Sequence, residues 1–499
     1  MIKKIFGPPG TGKTTYLLNT VADLLQEGIS PERIGYFSFT RKAAHEARDR
    51  AREKFSDLAD TSFINFRTLH SLAFGRLGIT HNMMIKDSDY RKFSETVGIE
   101  LSVDRDDDGI TRASHPIMDT INLARVKNTD VSVAYNQSNL GVSWHHFLYV
   151  YQMYRKFLVE NNLWDFTDLL ENFANADDEY YPLLDAVIID EAQDLSPLQW
   201  RIVDRLVKRA PRSFIAGDDD QAIFSFSGAD VESFLSYPGE ELVLKQSYRV
   251  PRSVHELCNR VVNRIKYRVD KVWAPNQREG SINTYGRFTD VDLSREGTWL
   301  ILSSTNYMLN EVCSYLKSLG LLYEKNHVRS IPESVIDAVY AWTMLGKKHG
   351  IPAAEVKKVY ELMSSKQIAR GFKRFNGPED VLYYYDMLVK DHGLMIDKDL
   401  PWFEALDKLS DDRQIYIRAA LRRGQSLRGL PRIRLSTIHG AKGGEADHVI
   451  LLTDLSTKFM EEYHYRPDTI NRLLYVGVTR TKDSLHLIYP KDTRKAFAL

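Results

Sequence analysis

Short runs of β-branched and aromatic residues alternate along this chain with longer stretches whose apolar positions recur every three or four residues. The runs Lys4–Phe6, Ile34–Phe39, Ser62–Asn65, Ala186–Asp190, Ser213–Ala216, Trp299–Ser303, Ile433–Thr437, His448–Thr453 and Ser484–Ile488 predict strands. Lys42–Phe55 and Pro197–Lys208 predict amphipathic helices between them. Strand–helix alternation is the pattern of parallel α/β sheets, whose strands are covered by helices on both faces. Two stretches break the rhythm, roughly Gly75–Val150 and Ser330–Leu430. In the second, Val335–Leu345 and Val356–Met363 repeat at helical spacing, and both stretches are expected to be inserts in the sheets. No internal repeat or low-complexity tract interrupts the pattern.

Composition narrows the class. At about 150 residues per domain, 499 residues make about three units, enough for several cores. A chain that is 43% hydrophobic and 27% charged is not a disordered scaffold. Cys258 and Cys313 are the two cysteines, too few for a disulfide framework or a structural zinc cluster. The start, MIKKIFGPPGTGKTTYLL, lacks the apolar run of a signal peptide, and no window of about 18 apolar residues suggests a membrane span. A soluble, cytoplasmic protein is expected. Lysine plus arginine number 67 and aspartate plus glutamate 67, and a net charge of zero argues mildly against a nucleic-acid partner.

The segment Gly7-Pro8-Pro9-Gly10-Thr11-Gly12-Lys13-Thr14 matches the phosphate-binding loop G-x-x-x-x-G-K-[ST]. Glycines let the backbone N–H groups turn toward phosphates at the start of a helix. Lys13 is placed to reach the β- and γ-phosphates, and Thr14 to ligate Mg²⁺. Ala186-Val187-Ile188-Ile189-Asp190-Glu191 ends an apolar strand on two acids. Asp190 suits the Mg²⁺ shell and Glu191 the general base that activates water. The run Asp104-Arg105-Asp106-Asp107-Asp108-Gly109 begins like a calcium loop, but His115 stands where the bidentate acid belongs, so a solvated acidic loop is expected.

Asp190-Glu191-Ala192-Gln193-Asp194 resembles the DExQD box of superfamily 1 helicases of the UvrD/Rep-like group, and the group's other motifs follow in register. Phe37–Ala44 resembles motif Ia, Thr68-Leu69-His70-Ser71 motif Ib, and Asp165–Leu170 the acidic-aromatic box before motif II. Gly217–Phe224 is similar to motif III and Gln246-Ser247-Tyr248-Arg249 to motif IV. Thr437–Glu445 is similar to motif V and Tyr475–Arg480 to motif VI. The resemblance implies two RecA-like parallel-sheet P-loop cores, each interrupted by a mainly helical insert. On this reading 1–75 and 151–240 form the first core with 76–150 its insert. The second core is 241–329 with 431–499, and its helical insert is 330–430.

The same resemblance implies roles. The catalytic set is Lys13, Glu191, Gln221, Arg249 and Arg480, the two arginines being fingers from the second core. Such fingers contribute about 10³–10⁵ in rate. The nucleotide contacts are Gly7, Pro8, Pro9, Gly10, Thr11, Gly12, Lys13, Thr14 and Thr15, with Tyr248 on the adenine, Glu445 near the ribose, and Arg249 and Arg480. Thr14 and Asp190 are the metal pair. Phe39, Thr40, Thr68, His70, Phe224, Phe226, Thr437 and His439 are the nucleic-acid contacts, because aromatic stacking with polar phosphate contacts is how single strands are gripped. Departures are visible. No glutamine motif precedes Gly7, leaving base selectivity open, and Phe226-Ser227-Gly228 replaces the aromatic–arginine pair usual in motif III. Gly444 stands where motif V commonly has leucine, and the second insert is short for the group.

An ATP- and Mg²⁺-dependent DNA motor is therefore expected, moving 3′→5′ on single-stranded DNA and separating strands at single-strand/duplex junctions. The alternative is an ATPase translocase that remodels nucleoprotein or serves a recombination or nuclease partner. Replication, repair or recombination proteins are possible partners, and a viral origin would move the site of action to the host cytoplasm. No nuclease domain or partner-binding tail is expected after Arg480. Locally, Arg413–Arg434 carries seven arginines and no acid just before motif V, while acids gather at Asp104–Asp108 and Asp177-Asp178-Glu179. Zero net charge is then an average over opposing patches, and phosphate contact by this run is the favoured reading over a solvated face.

Overall fold

The computed structural model describes residues 1–55, 58–105 and 111–497, so Asp106–Gly109 of the acidic run lie outside the described residues. The chain divides into two compact units, Met1–Glu279 with Glu462–Thr479, and Gly280–Glu461 with residues 480–497.

The first unit is built on six parallel strands: β1 (Ile2–Phe6), β2 (Ile34–Ser38), β3 (Phe66–Thr68), β4 (Ala186–Asp190), β5 (Arg212–Gly217) and β6 (Glu240–Val243). Their order is β3-β2-β4-β5-β1-β6. Every residue of β2 and β4 is buried, as a parallel strand covered on both faces requires. Helices α1 (Lys13–Gln26), α2 (Arg41–Lys54), α3 (Leu69–Arg76), α4 (Phe166–Asn175), α5 (Pro197–Arg209), α6 (Arg252–Val262) and α7 (Pro467–Val478) belong to this unit. One face of the sheet packs on α1 and α2 through Leu17, Val21 and Ala47, and the other takes Leu169, Phe173, Ile202 and Leu206. The insert folds as helices Asp87–Val97, Pro116–Val126, Val131–Gln137 and Trp144–Glu160 around Phe93, Ile121, Phe147 and Val150, with the antiparallel pair Ser102–Arg105 and Thr111–Ser114.

The second unit carries β7 (Ser281–Tyr285), β8 (Trp299–Ser303), β9 (Tyr323–Lys325), β10 (Val328–Arg329), β11 (Ile433–Thr437), β12 (Ala446–Leu452) and β13 (Thr481–Ile488). Their order is β10-β9-β11-β8-β12-β13-β7, parallel except for the β9–β10 hairpin. Its insert is helical, with Val335, Val339, Trp342, Val356, Tyr360 and Ile417 in one apolar core. The fold is thus α/β with two parallel-dominated sheets, as expected. No helix among the described residues is long and apolar enough to cross a membrane.

Several boundaries differ from the sequence reading. The strand expected at Ser62–Asn65 is a 3₁₀ turn, Asp60–Phe63, and β3 begins at Phe66. Phe63 is buried there, and Asn65 accepts the Tyr36 N–H on its backbone carbonyl while its side-chain amide donates to the Glu32 carbonyl. The second core was expected from residue 241, yet Glu240–Val243 pairs with β1 as the sixth strand of the first sheet, and 244–279 stays with that unit. Helix α7, expected in the second core, packs on α6 and on the turn Asp219–Gln221. A short edge strand and a helix whose buried face matches α6 are decided by packing, which local periodicity does not report.

Candidate nucleotide site and its flanking surfaces

Strand β1 ends at Phe6, and the chain turns through Gly7–Gly12 into α1. The Gly7 N–H donates to the Gly217 carbonyl, tying the loop to β5, and Thr11 Oγ1 donates to the Pro8 carbonyl at 2.8 Å. Gly10 and Gly12 have φ of 72° and 75°, the left-handed region glycine occupies without a Cβ penalty. Helix α1 has no side-chain N-cap and no acid in its first turn, so its leading N–H groups and dipole favour an anion.

Lys13, the first residue of α1, points at the end of β4. Its Nζ lies 2.5 Å from Glu191 Oε1 and 3.4 Å from Asp190 Oδ1. Burial by itself lowers a lysine pKa, but Glu191 and then Asp190 outweigh it and hold Lys13 above its usual value and charged. One cation faces two acids and sits closer to Glu191. Burial accordingly pushes the Asp190 carboxyl up against the pull of Lys13. Asp190 is oriented by Tyr36, whose hydroxyl donates to Oδ2 at 2.9 Å, while Oδ1 accepts the Glu191 N–H. Glu191 has φ 55°, uncommon for a residue with a side chain and costing about 1–2 kcal/mol. Its Oε2 accepts from Gln193 Nε2 at 2.6 Å, and Gln193 Oε1 accepts the Asp218 N–H at 3.0 Å. Gln221 Nε2 donates to Asp218 Oδ2 at 2.7 Å, so a chain of hydrogen bonds runs from Glu191 to Gln221.

The segment Gln246–Arg249 lies over the loop. Ser247 Oγ donates to the Pro9 carbonyl at 2.7 Å and the Tyr248 N–H to the Gly10 carbonyl at 2.8 Å. A Cβ on Gly10 would stand 2.3 Å from Arg249 Cβ, so only glycine admits this approach. The Tyr248 ring is 76% exposed and passes within about 4 Å of the Cβ direction of Gly12, beside Thr15, a free aromatic face at the helix start. The sequence reading gave Arg249 to the second core together with Arg480; the structure corrects this, because β6 returns the chain to β1 and leaves Arg249 in the first unit.

Lys13, Thr14, Thr15, Asp190, Glu191, Gln221, Tyr248, Arg249 and the loop Gly7–Gly12 thus share one unit. Arg480 and Glu445 belong to the other, where Arg480 donates to the Gly444 carbonyl and Glu445 pairs with Lys482 at 2.5 Å. The loop N–H groups, a charged lysine and the Thr14–Asp190 pair are a donor set that fits a magnesium nucleotide. Among the described residues no cluster of three or more His, Cys, Asp or Glu could hold a metal. A hard cation there is suited to phosphate oxygens and water completing its shell.

Of the expected nucleic-acid contacts in the first unit, Phe39 stacks on Phe224 with centroids 5.6 Å apart, and Phe226 stands 6.1 Å beyond, 61% exposed. Thr40 and Thr68 are N-caps of α2 and α3, accepting the N–H groups of Ala43 and Ser71. His70 meets Phe166 edge-on and lines a cleft of about 710 Å³ with Arg41, His45, Arg48 and Arg67. In the second unit Thr437 Oγ1 accepts the Gly440 N–H, and His439 stacks with Phe459. The sequence reading missed Tyr36 and Lys271, whose partners lie 154 and 52 residues away, so no local spacing announces them.

The family model of the UvrD/REP helicase N-terminal domain matches residues 3–240, and that of the UvrD-like helicase C-terminal domain matches residues 432–488, together more than half of the chain. The ATP-dependent DNA helicase PcrA of Staphylococcus aureus is 26% identical over 378 residues, which take in 71% of this chain and 50% of that protein. PcrA of Leuconostoc citreum is 28% identical over 385 residues, 72% of this chain and 49% of its own. The chain therefore spans about half the length of the curated relatives it matches. A solved arterivirus nonstructural protein 10 helicase in complex with DNA aligns with 99% of this chain and 62% of its own length, at 10% identity and a TM-score of 0.34.

Proposed function

Because this chain belongs to the UvrD/REP helicase family, we propose that it is a DNA-dependent ATPase that moves 3′→5′ along single-stranded DNA and separates duplex strands. The observation that carries the reading is Lys13 held between Asp190 and Glu191 at the mouth of a loop roofed by Ser247, Tyr248 and Arg249. ATP bound with Mg²⁺ supplies the phosphoryl group and the ion that neutralises its oxygens. The loop N–H groups and Lys13 hold the β- and γ-phosphates, and Thr14 and Asp190 hold the metal. Glu191 accepts the proton of the attacking water, and Gln193 keeps its second oxygen oriented. Tyr248 offers its open face to the base and Arg249 stands beside the phosphate loop, while the family's motifs assign Arg480 and Glu445 to the same nucleotide. Phe39 stacks on Phe224 and Phe226 lies tilted beyond it, an aromatic platform on which bases can continue, each stacked base contributing about 1–3 kcal/mol.

Lys13→Ala and Glu191→Gln are each expected to lower DNA-stimulated ATP turnover by about 10²–10⁴ while leaving single-strand binding intact, measured by steady-state ATPase and fluorescence anisotropy. Turnover near wild type in either variant overturns the site. Strand separation is expected from a 3′ single-stranded tail. Efficient unwinding from a 5′ tail alone overturns the polarity, and ATPase without strand release overturns unwinding and leaves translocation.

A further inference from the structure

At the end of β5 three successive aspartates, Asp218, Asp219 and Asp220, are buried. Adjacent carboxylates removed from water repel one another and lose hydration, so they need a compensating charge. Lys271 supplies it. Its Nζ lies 3.1 Å from Asp218 Oδ1 and 2.9 Å from Asp220 Oδ2, and it also donates to Asp219 Oδ1. An ammonium has three N–H donors, and here three carboxylates take them. The Lys271 side chain is fully buried, with the ring of Phe6 below it at 5.8 Å.

The three acids are not equivalent. Asp220 is also gripped by the Arg268 guanidinium at 2.8 and 3.0 Å, and Asp219 accepts the Val269 N–H at 2.9 Å. Asp218 instead spends its second oxygen on Gln221 Nε2, and its N–H reaches Gln193, which holds Glu191. Helix α7 packs on the same turn, but its buried Tyr475 hydroxyl has no hydrogen-bond partner among the described residues and does not share the task. Burial pushes Asp218 upward and Lys271 opposes this, in keeping with the geometry.

We propose that Lys271 is a positioning residue for ATP hydrolysis: it holds Asp218 as the acceptor that fixes the Gln221 amide, joining the nucleotide site to the turn that follows β5. This rests on the ATPase reading above, and Lys271 touches neither nucleotide nor DNA in it.

The test compares wild type, Lys271→Met, Gln221→Ala, their double variant, and the charge-balanced pair Lys271→Met/Asp219→Asn. ATPase is measured with and without single-stranded DNA, alongside thermal midpoints and amide hydrogen exchange of residues 218–222. Lys271→Met is expected to lower DNA-stimulated kcat about tenfold or more with KM for ATP within about threefold, and the double variant to be no slower than the slower single variant. The charge-balanced pair is expected to recover the thermal midpoint but not kcat, and to exchange faster than wild type at 218–222. Multiplying fold-changes in the double variant, or kcat restored by charge balance alone, overturns the proposal. So does unchanged exchange in the pair, which keeps the test open if Lys271→Met alone does not fold. A wild type without DNA-stimulated ATPase defeats the ATPase reading and the role in hydrolysis with it, whereas the other failures overturn the role of Lys271 alone.

Discussion

His486 shows what a single buried titratable ring does to this molecule. It lies on β13 against the ring of Trp299, with Nε2 2.8 Å from Ser484 Oγ. Burial, with His448 and Arg295 nearby, pushes its pKa down to about 4. A histidine whose pKa falls on folding takes up its proton first in the unfolded chain, near pH 6.5. Above that pH the group leaves stability unchanged; as pH falls from about 6.5 to 4 the unfolded state gains, by on the order of 3 kcal/mol at most. Urea midpoints of wild type are expected to fall across this window, and those of His486→Gln to fall less. Equal slopes would remove His486 as the cause. Lys13 is the opposite case, a cation kept charged in a buried place because two acids face it. That Lys13, Asp190 and Glu191 serve one nucleotide was legible from the loop and the strand end, whereas the ion pair itself and the Tyr36 hydroxyl that orients Asp190 were not.

Among the elements, α4 ties the first insert to its core. Asp165 and Asp168 form a reciprocal cap, the Asp168 N–H donating to Asp165 Oδ1 at 2.7 Å and the Asp165 N–H to Asp168 Oδ2 at 3.0 Å. Arg125, from the insert helix Pro116–Val126, binds both acids and Glu171 at 2.6–2.8 Å, and Arg155 from the helix Trp144–Glu160 joins at Asp168. Against burial, Arg125 holds Asp165 below the usual aspartate range. Arg125→Ala leaves buried carboxylates unpaired and is expected to cost about 3–5 kcal/mol, read as a lowered denaturant midpoint. A loss under about 1 kcal/mol would mean the cluster adds little beyond the cap itself. The acidic-aromatic box was visible in sequence as a motif; its service as a helix cap with an arginine clasp was not, because Arg125 lies 40 residues upstream. Thr40 and Thr68, expected as DNA contacts, are the N-caps of α2 and α3, which the sequence reading did not foresee.

Across the whole molecule, equal counts of acids and bases conceal distinct uses of charge. Of the seven arginines between 413 and 434, Arg432 and Arg434 donate to backbone carbonyls of Leu293, Arg295 and Glu445, so they brace the second sheet. Arg418 lies over the Phe403 ring and Arg428 over Tyr340. Arg413, Arg422 and Arg423 are exposed and remain the candidates for phosphate. Each single-strand phosphate contact contributes about 0.7 to the slope of log affinity against log salt, so Arg422→Ala/Arg423→Ala is expected to reduce that slope by about 1–1.5. An unchanged slope would assign both residues to a solvated face.

The sequence by itself determined the strand ends that carry chemistry. β4 and β8 occupy the spans their apolar runs predict, because a parallel strand buried on both faces must be largely apolar, and β11 occupies its span by alternation, with Ile433 and Leu435 buried. It also determined the phosphate loop and its paired acids, since that chemistry depends on contiguous residues. The tertiary structure alone decided the membership of 241–279 and α7 in the first unit, and the place of Arg249 beside Gly10. It also placed Lys271 among three aspartates. A buried charge is compensated by whichever residue packing brings within about 3 Å, and separation along the chain has no part in that energy.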